Sequence, residues 1–194
     1  MRIFLSGGCK NGKSTCAQCL AKRQGGRGRG RALYYVATMI AADGEDMERI
    51  DRHRKEREGW GFVTVEQPLD IAEILRKCDR DGSFLIDSLT ALLANEMFAP
   101  SGEFDAGACE RVADGMSMVL SQIRDVAIVS DYIYNDAFIY DPLTEAYRKS
   151  LAALDRLAAK HCDVVLEAVH ARIVAHKGGE LFEKTFGEER DAIN

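Results

Sequence analysis

A glycine-rich string directly after the first apolar run restricts the fold of this chain more than any other feature of its sequence. The apolar run Ile3 to Ser6 is followed by GGCKNGKST (residues 7–15), which matches the Walker A pattern. Glycines let backbone N–H groups point inward around phosphate oxygens, the lysine neutralises the terminal phosphates, and the serine hydroxyl can bind Mg²⁺. The string lies between a strand pattern and a helix pattern, so it predicts a nucleotide-binding loop.

Short apolar runs alternate with longer segments of helical periodicity along the rest of the chain. The predicted strands are Ile3 to Ser6, Leu33 to Thr38, Phe62 to Glu66, Ser83 to Asp87, Val126 to Asp131 and Val164 to Glu167. The predicted helices are Lys13 to Gln24, Asp46 to Glu58, Asp70 to Cys78, Leu89 to Phe98, Cys109 to Ile123 and Thr144 to His161. This alternation predicts an α/β fold, a three-layer, doubly wound and mainly parallel sheet of the P-loop NTPase type. We expect residues 1–194 to form a single nucleotide-binding domain.

The composition is that of an ordinary globular protein, with 46% hydrophobic residues, 29% charged residues and a formal net charge of -5. The mildly acidic balance argues against general binding of nucleic acid or anionic membranes. The amino terminus lacks the apolar stretch of a secretory signal, and no run approaches the roughly 18 apolar residues of a membrane span. The six cysteines are scattered, so we expect reduced thiols and a cytoplasmic location.

Two aspartates end predicted strands and are candidates for the carboxylate that faces the nucleotide's magnesium. Asp87 ends SFLID, and Asp131 ends VAIVSD. A carboxylate at the end of a strand beside the phosphate loop can reach the ion directly or through water. We favour Asp87 and Ser14 as the metal-binding pair. The alternative is that either aspartate only caps the following helix.

A histidine lies among arginines on the second predicted helix. Arg49, His53 and Arg57 are four residues apart and therefore share one stripe of that helix. Two flanking guanidiniums disfavour the protonated imidazole, so the pattern favours a neutral, nucleophilic ring beside groups that attract a polyphosphate. The alternative is a charged helix face that is simply solvated.

Four blocks of this sequence resemble the adenosylcobinamide kinase and adenosylcobinamide-phosphate guanylyltransferase family of cobalamin biosynthesis. They are GGCKNGKS (residues 7–14), YYVAT (34–38), the R-I-x-x-H-x-x-x-R string (49–57) with Trp60 and the T-x-E of residues 64–66, and LIDSLTALLAN (85–95). The resemblance implies a homo-oligomeric enzyme, with a trimer suspected, that acts on a corrinoid and on ATP or GTP with Mg²⁺. It would phosphorylate a cobinamide hydroxyl and then transfer GMP from GTP through a guanylylated histidine, here His53.

The same resemblance implies a set of site residues. The catalytic residues would be His53 and Lys13. The nucleotide would contact the phosphate loop, the end of the second strand, the residues after the histidine, and two strand-end carboxylates: Gly7, Gly8, Cys9, Lys10, Asn11, Gly12, Lys13, Ser14, Thr15, Ala37, Thr38, Met39, Arg54, Lys55, Glu56, Arg57, Glu66 and Asp87.

The second half of the chain departs from the family pattern. The family usually reads N-E-V-G-x-G-I-V-P after its fifth strand, whereas this chain has the segment 131–137, DYIYNDA, without either glycine. Glycines there would let the backbone approach a ligand closely, and Tyr132 and Tyr134 cannot do the same. In the long helix, the family's N-Q pair aligns near Asp155 and Arg156.

Other signals are weaker and leave alternatives open. Cys16 and Cys19 form a C-x-x-C on the helix after the phosphate loop, where packing is a better explanation than redox or metal chemistry. The glycine- and arginine-rich stretch Gln24 to Arg31 is interpreted as a solvated basic loop. Two other functions stay open, a small-molecule kinase that uses only the phosphate loop and Asp87, and a nucleotide-dependent switch without catalytic activity.

Overall fold

A seven-stranded, mainly parallel sheet is the centre of the fold. The computed structural model describes residues 1–9, 11–26, 30–41, 43–98, 103–134, 136–170 and 172–187, with the backbone only at 45, 49 and 56. The strand order is β3-β2-β4-β5-β1-β6-β7, and every pairing is parallel except the antiparallel β6–β7 pair. The α/β fold class expected from the sequence is therefore confirmed.

The elements follow one another as strand and helix in the order that crossover connections require. The strands are β1 (Arg2–Gly7), β2 (Leu33–Ala37), β3 (Phe62–Glu66), β4 (Ser83–Asp87), β5 (Asp125–Asp131), β6 (Val164–Val169) and β7 (Arg172–Lys177). The helices are α1 (Lys13–Gly26), α2 (Gly44–Glu56), α3 (Ile74–Lys77) preceded by a 3-10 turn (Ile71–Glu73), α4 (Leu89–Met97), α5 (Ala108–Gln122), α6 (Pro142–His161) and α7 (Gly179–Phe186).

Two apolar layers cover the sheet, one on each face. Helices α3, α4, α5 and α6 pack on one face against residues such as Phe84 and Ile86 of β4. Helices α1 and α7 pack on the other face, against residues such as Leu85 of the same strand. Because successive side chains of a strand point to opposite faces, a central strand covered on both sides is apolar along most of its length. The described side chains of α2 belong to neither layer.

The structure corrects several boundaries predicted from the sequence. The predicted helix from Asp70 to Cys78 is broken into a 3-10 turn and the short α3, and it starts after Asp70, whose φ of 44° is left-handed. Strand β7 and helix α7 were not predicted; β7 lies at the edge of the sheet, and each of its described residues except Ile173 is exposed. Its Lys177 donates hydrogen bonds to three carbonyls at the end of α6.

The predicted basic loop is also corrected where the structure describes it. Gln24 to Gly26 form the last turn of α1. Arg31 is not simply solvated, because its guanidinium pairs with Asp125 at 2.8 Å and donates to backbone carbonyls of the turn before β4. Residues 27–29 lie outside the described residues.

A buried carboxyl group fastens the segment after β5 to helix α6. Asp155 is 4% exposed, and its Oδ2 accepts a hydrogen bond of 2.8 Å from the hydroxyl of Tyr134. Burial raises the pKa of the Asp155 carboxyl to about 6, and the negative charge of Asp131 adds to this effect, while hydrogen bonds from Ser130 and Tyr134 oppose it. This contact fixes the chain directly after the candidate site residue Asp131.

We expect Asp155→Asn to flatten the pH dependence of stability between about pH 4 and pH 6. The pKa of Asp155 in the folded protein, about 6, lies above that of an unfolded aspartate. Its stabilising contribution is therefore complete below about pH 4 and is lost as the pH rises through about 6, a loss of about 3 kcal/mol. Urea unfolding of wild type and variant from pH 4 to pH 7 measures this difference.

The matched control is Asp114→Asn, which removes an exposed carboxylate from helix α5. The difference in unfolding free energy between this variant and the wild type should not change with pH, because that side chain stays in water in both the folded and the unfolded state. Parallel curves for wild type and Asp155→Asn over the same range would contradict the assignment of a raised pKa to Asp155.

Candidate active site

The phosphate loop joins β1 to α1 at the carboxyl end of the sheet. Gly12 has a φ of +84°, a left-handed conformation that L side chains rarely adopt. The side-chain amide of Asn11 donates to the carbonyl of Ala168 at the end of β6, which ties the loop to the neighbouring strand. Residue Lys10 of the predicted set lies outside the described residues. Cys9 is exposed on the loop.

Lys13 brings a nearly buried positive charge into this loop. Its side chain is 6% exposed, and its Nζ lies 2.7 Å from Oδ1 of Asp131. The ammonium also donates to the carbonyl of Gly8 and to Oδ1 of Asn11. A buried ammonium needs a counter-charge and hydrogen-bond acceptors, and Asp131 with the loop oxygens supplies both.

Asp87 takes a different position from Asp131 and faces three other side chains. Its Oδ1 lies 3.4 Å from the hydroxyl of Ser14. Its Oδ2 accepts a hydrogen bond of 2.8 Å from the hydroxyl of Tyr35 and lies 3.8 Å from Nδ1 of His53. The last distance is longer than a hydrogen bond. The two strand-end aspartates thus have different surroundings. Asp131 neutralises Lys13, whereas Asp87 lies between Ser14 and His53.

Two adjoining cavities meet at His53, Asp87 and Asp131, which line both of them. The smaller cavity, about 300 Å³, is polar and is lined by the phosphate loop. From the predicted set it includes Asn11, Gly12, Lys13, Ser14 and Thr15. The larger cavity, about 560 Å³, has apolar walls from Met39, Ile40, Met47 and Ile50. A concave apolar space with a few convergent polar groups is the usual form of a small-molecule site.

Only some of the remaining predicted residues line these two cavities. Ala37, Met39, Arg54, Arg57 and Glu66 line the larger cavity. Lys55 instead faces a more open pocket beside β3, and the side chain of Glu56 lies outside the described part of the chain. Thr38 is fully buried, and its hydroxyl contacts the backbone N–H and carbonyl of Ser88 rather than either cavity.

The guanidinium of Arg57 is buried against an aromatic ring. Arg57 is 7% exposed, its Cζ lies 3.8 Å from the centre of the Tyr35 ring, and one Nη donates to Thr64 at 3.3 Å. Burial lowers the pKa of the Arg57 guanidinium, and its interaction with Tyr35 opposes this shift. Arg49, the other arginine of the predicted stripe, has no described side chain. The structure therefore brings His53 and Arg57 into the site.

The segment that departs from the family pattern packs closely on the rest of the fold. The backbone N–H of Tyr132 donates to the carbonyl of Gly7 at 3.3 Å. Arg148 of α6 is 7% exposed and contacts the carbonyl of Ile133 and the carboxylate of Asp136. Asn135 lies outside the described residues. Tyrosine and arginine contacts thus hold the region where the family pattern has glycines.

Sequence reasoning missed Tyr35 and the apolar walls contributed by α2. A buried tyrosine hydroxyl needs a partner, so the occurrence of Tyr35 in a core strand is a signal that could have been used. Cys16, by contrast, agrees with the packing interpretation, since it is 4% exposed in the α1 layer and burial raises the pKa of its thiol to about 12. Among the described helices, none combines the length and apolarity needed to cross a membrane.

Known proteins similar to this chain give its family. The model of the family described as cobinamide kinase / cobinamide phosphate guanyltransferase matches residues 3–175. The bifunctional adenosylcobalamin biosynthesis protein CobP of Pseudomonas aeruginosa is 39% identical over 96 residues, which cover 49% of this chain and 52% of that protein. The bifunctional adenosylcobalamin biosynthesis protein CobU of Salmonella typhimurium is 29% identical over 126 residues, which cover 62% of this chain and 66% of that protein.

The aligned parts therefore span between half and two thirds of these two relatives. Among solved structures, a KaiC-like protein of Pyrococcus horikoshii is similar with a TM-score of 0.49 and 13% identity, over 91% of this chain and 79% of that one. The family model extends from β1 into β7 and includes the phosphate loop, His53, Asp87 and Asp131. The chain belongs to the cobinamide kinase / cobinamide phosphate guanylyltransferase family.

Proposed function

We propose that this chain phosphorylates a cobinamide hydroxyl and then transfers GMP from GTP to the resulting phosphate through a guanylylated His53. The observation that carries the proposal is the position of His53 at the junction of the phosphate-loop cavity and the larger cavity. A triphosphate held by Lys13 can direct its α-phosphorus toward the imidazole at that junction. The larger cavity then has room for the rest of the nucleotide beside Arg57 and Glu66.

The nucleotidyl transfer consists of two displacements at the α-phosphorus. Nδ1 of His53 lies 3.8 Å from Oδ2 of Asp87, and Nε2 is the attacking atom in this proposal. Nε2 forms a bond to the α-phosphorus of GTP while the bond to the β-phosphate oxygen breaks, and pyrophosphate leaves. An oxygen of the acceptor phosphate then attacks the same phosphorus, the N–P bond breaks, and the imidazole is regenerated. Lys13 and Arg57 stabilise the charge that develops on the phosphate oxygens.

The kinase step uses the same phosphate loop without the histidine. The substrate hydroxyl attacks the γ-phosphorus of ATP or GTP, the bond to the β-phosphate oxygen breaks, and the nucleoside diphosphate leaves. The hydroxyl proton passes to a base or to water. Positioning and electrostatic stabilisation supply most of the catalysis in such transfers, and the loop N–H groups and Lys13 provide both.

The donor groups of the site suit a Mg²⁺ ion that arrives with the nucleotide. Among the described residues, no group of three or more histidine, cysteine or acidic side chains could hold a metal by itself. Mg²⁺ in nucleotide sites typically takes only one or two protein oxygens and completes its shell with phosphates and water. Ser14 and Asp87, with oxygens 3.4 Å apart, would hold it. The ion would neutralise charge on the phosphates.

Several finer expectations remain predictions. We keep the homo-oligomeric assembly, with a trimer suspected, as an expectation from the resemblance. The cytoplasmic location stays an expectation from the scattered cysteines. ATP and GTP are alternative donors for the kinase step. A kinase without the guanylyltransferase activity is the second candidate function, and the experiment on His53 distinguishes the two.

His53→Asn should abolish covalent guanylylation and leave nucleotide binding nearly unchanged. Wild-type protein incubated with Mg²⁺ and GTP should gain one guanylyl group through a bond that is labile in acid and stable in base, as expected of a phosphoramidate. The variant should gain none, because asparagine cannot attack the phosphorus. Intact mass spectrometry measures the adduct, and a fluorescent GTP analogue measures binding.

Two further variants separate the possible outcomes of the His53 experiment. Lys13→Ala should lose both the adduct and nucleotide binding, whereas His161→Asn at the end of α6 should keep both. A plain kinase would show no adduct in the wild type. Peptide mapping that placed the guanylyl group on His161, His170, His176 or a lysine would exclude the His53 mechanism.

Asp87→Asn should raise the Mg²⁺ concentration needed for GTP binding about tenfold, because it keeps the shape but removes the charge that faces the cation. The affinity for GTP without Mg²⁺ should change little. Titration of the fluorescent GTP analogue with and without the metal measures both quantities.

Asp131→Asn is the matched control for the Asp87 experiment, since it removes the other strand-end carboxylate. It removes the counter-charge of Lys13, so metal-free GTP affinity should stay equal or increase, and the Mg²⁺ requirement should hardly change. A large rise in the Mg²⁺ requirement for Asp131→Asn, with none for Asp87→Asn, would reverse the assignment of the metal-binding aspartate.

A further inference from the structure

We propose that Tyr35 is a positioning residue that holds the carboxylate of Asp87 and the guanidinium of Arg57 in one arrangement. The hydroxyl of Tyr35 contacts Asp87, and the face of its ring contacts Arg57. A single side chain then aligns the proposed magnesium ligand with the arginine that faces the larger cavity. The role assigned to Asp87 rests on the proposed function, and the experiment below is chosen so that the two ideas can fail separately.

The hydroxyl of Tyr35 determines which oxygen of Asp87 faces the phosphate loop. It donates to Oδ2 at 2.8 Å, and this leaves Oδ1 as the oxygen that lies 3.4 Å from the Ser14 hydroxyl. Tyr35 is 5% exposed, so its hydroxyl has little access to water and its hydrogen bond to a charged oxygen is a strong one. Rotation of the Asp87 carboxylate away from Ser14 would break that bond.

The ring of Tyr35 supports the buried charge of Arg57. The guanidinium carbon lies 3.8 Å from the ring centre, close enough for a cation–π contact. Phe62 of the neighbouring strand β3 meets the same ring edge-on, with centres 6.2 Å apart and planes at 89°. The ring is thus held between β3 and Arg57, and the guanidinium faces the larger cavity, which it lines together with Tyr35.

The two contacts of Tyr35 are made by different parts of its side chain: the hydroxyl contacts Asp87, and the ring face contacts Arg57. Phenylalanine keeps the ring and removes the hydroxyl, while leucine removes both. A residue that only filled space in the core would not distinguish between metal-dependent and metal-independent binding. The two substitutions can therefore test positioning against packing.

The experiment measures the affinity for a fluorescent GTP analogue with Mg²⁺ and with the metal removed by a chelator. Tyr35→Phe should reduce the gain in affinity that Mg²⁺ provides by about tenfold, the loss expected for one hydrogen bond to a charged group. Its metal-free affinity should stay within about twofold of wild type, since the cation–π contact remains. Tyr35→Leu should lose the same Mg²⁺ gain and, in addition, about fivefold in metal-free affinity.

Tyr34→Phe is the matched control on the same strand. The hydroxyl of Tyr34 accepts a hydrogen bond from the backbone N–H of Asp79 and its ring packs on Phe84, away from the site. This variant should show wild-type values in both titrations. Thermal unfolding of all three variants checks that the folded state is intact under the conditions used.

Two outcomes would overturn the role of Tyr35. One is a Tyr35→Phe protein with the full Mg²⁺ gain, and the other is an equal loss of metal-free affinity in Tyr35→Phe and Tyr35→Leu. The proposed function is tested separately by the guanylyl adduct on His53. A wild type that forms no adduct would refute that function, whereas both titrations would still decide the role of Tyr35.

Discussion

The direction of the strands determines where every group of the candidate site lies. In a parallel sheet the carboxyl ends of neighbouring strands meet at one edge. The register pairs Ala37 with both Glu66 and Asp87, and it pairs Gly7 with Asp131. The phosphate loop and the three strand-end carboxylates therefore lie at one edge of the sheet. Helix α2 brings His53 to the same edge from outside the two apolar layers.

Several charged side chains near this edge are buried, and among the described residues each buried cation has a different partner. Lys13 has the Asp131 carboxylate, Arg57 has the ring of Tyr35, and Arg148 has Asp136 and Glu145. A buried charge without such a partner would destabilise the fold by several kcal/mol. The contacts that hold charge in the site thus also avoid this penalty in the folded state.

The sequence predicted those parts of the site that depend on local spacing. The phosphate loop and the strand end at Asp87 could be recognised because their residues are adjacent in the chain. The bond between Tyr35 and Asp87 joins residues on two strands, and the bond between Tyr134 and Asp155 joins a loop to a helix. Such contacts depend on strand register and packing, which residue spacing does not give.

Other outcomes have equally local causes. Thr38 stays a predicted nucleotide contact, while its hydroxyl is directed to the backbone of Ser88. Strand β7 pairs only with β6 at the edge of the sheet, so it lacks the apolar pattern of a strand that is covered on both faces.

The pair formed by Lys13 and Asp131 has a consequence for the selectivity of the phosphate loop. Since Asp131 already lies 2.7 Å from the ammonium, any anion that reaches Lys13 must compete with a carboxylate that belongs to the protein. A small ion such as chloride gains little by this exchange, because one negative charge replaces another. A polyphosphate bound as proposed would gain more, since its further oxygens could also accept hydrogen bonds from the loop N–H groups. On this proposal, the built-in counterion would act as a threshold that favours multivalent, extended anions over the simple salts of the cell.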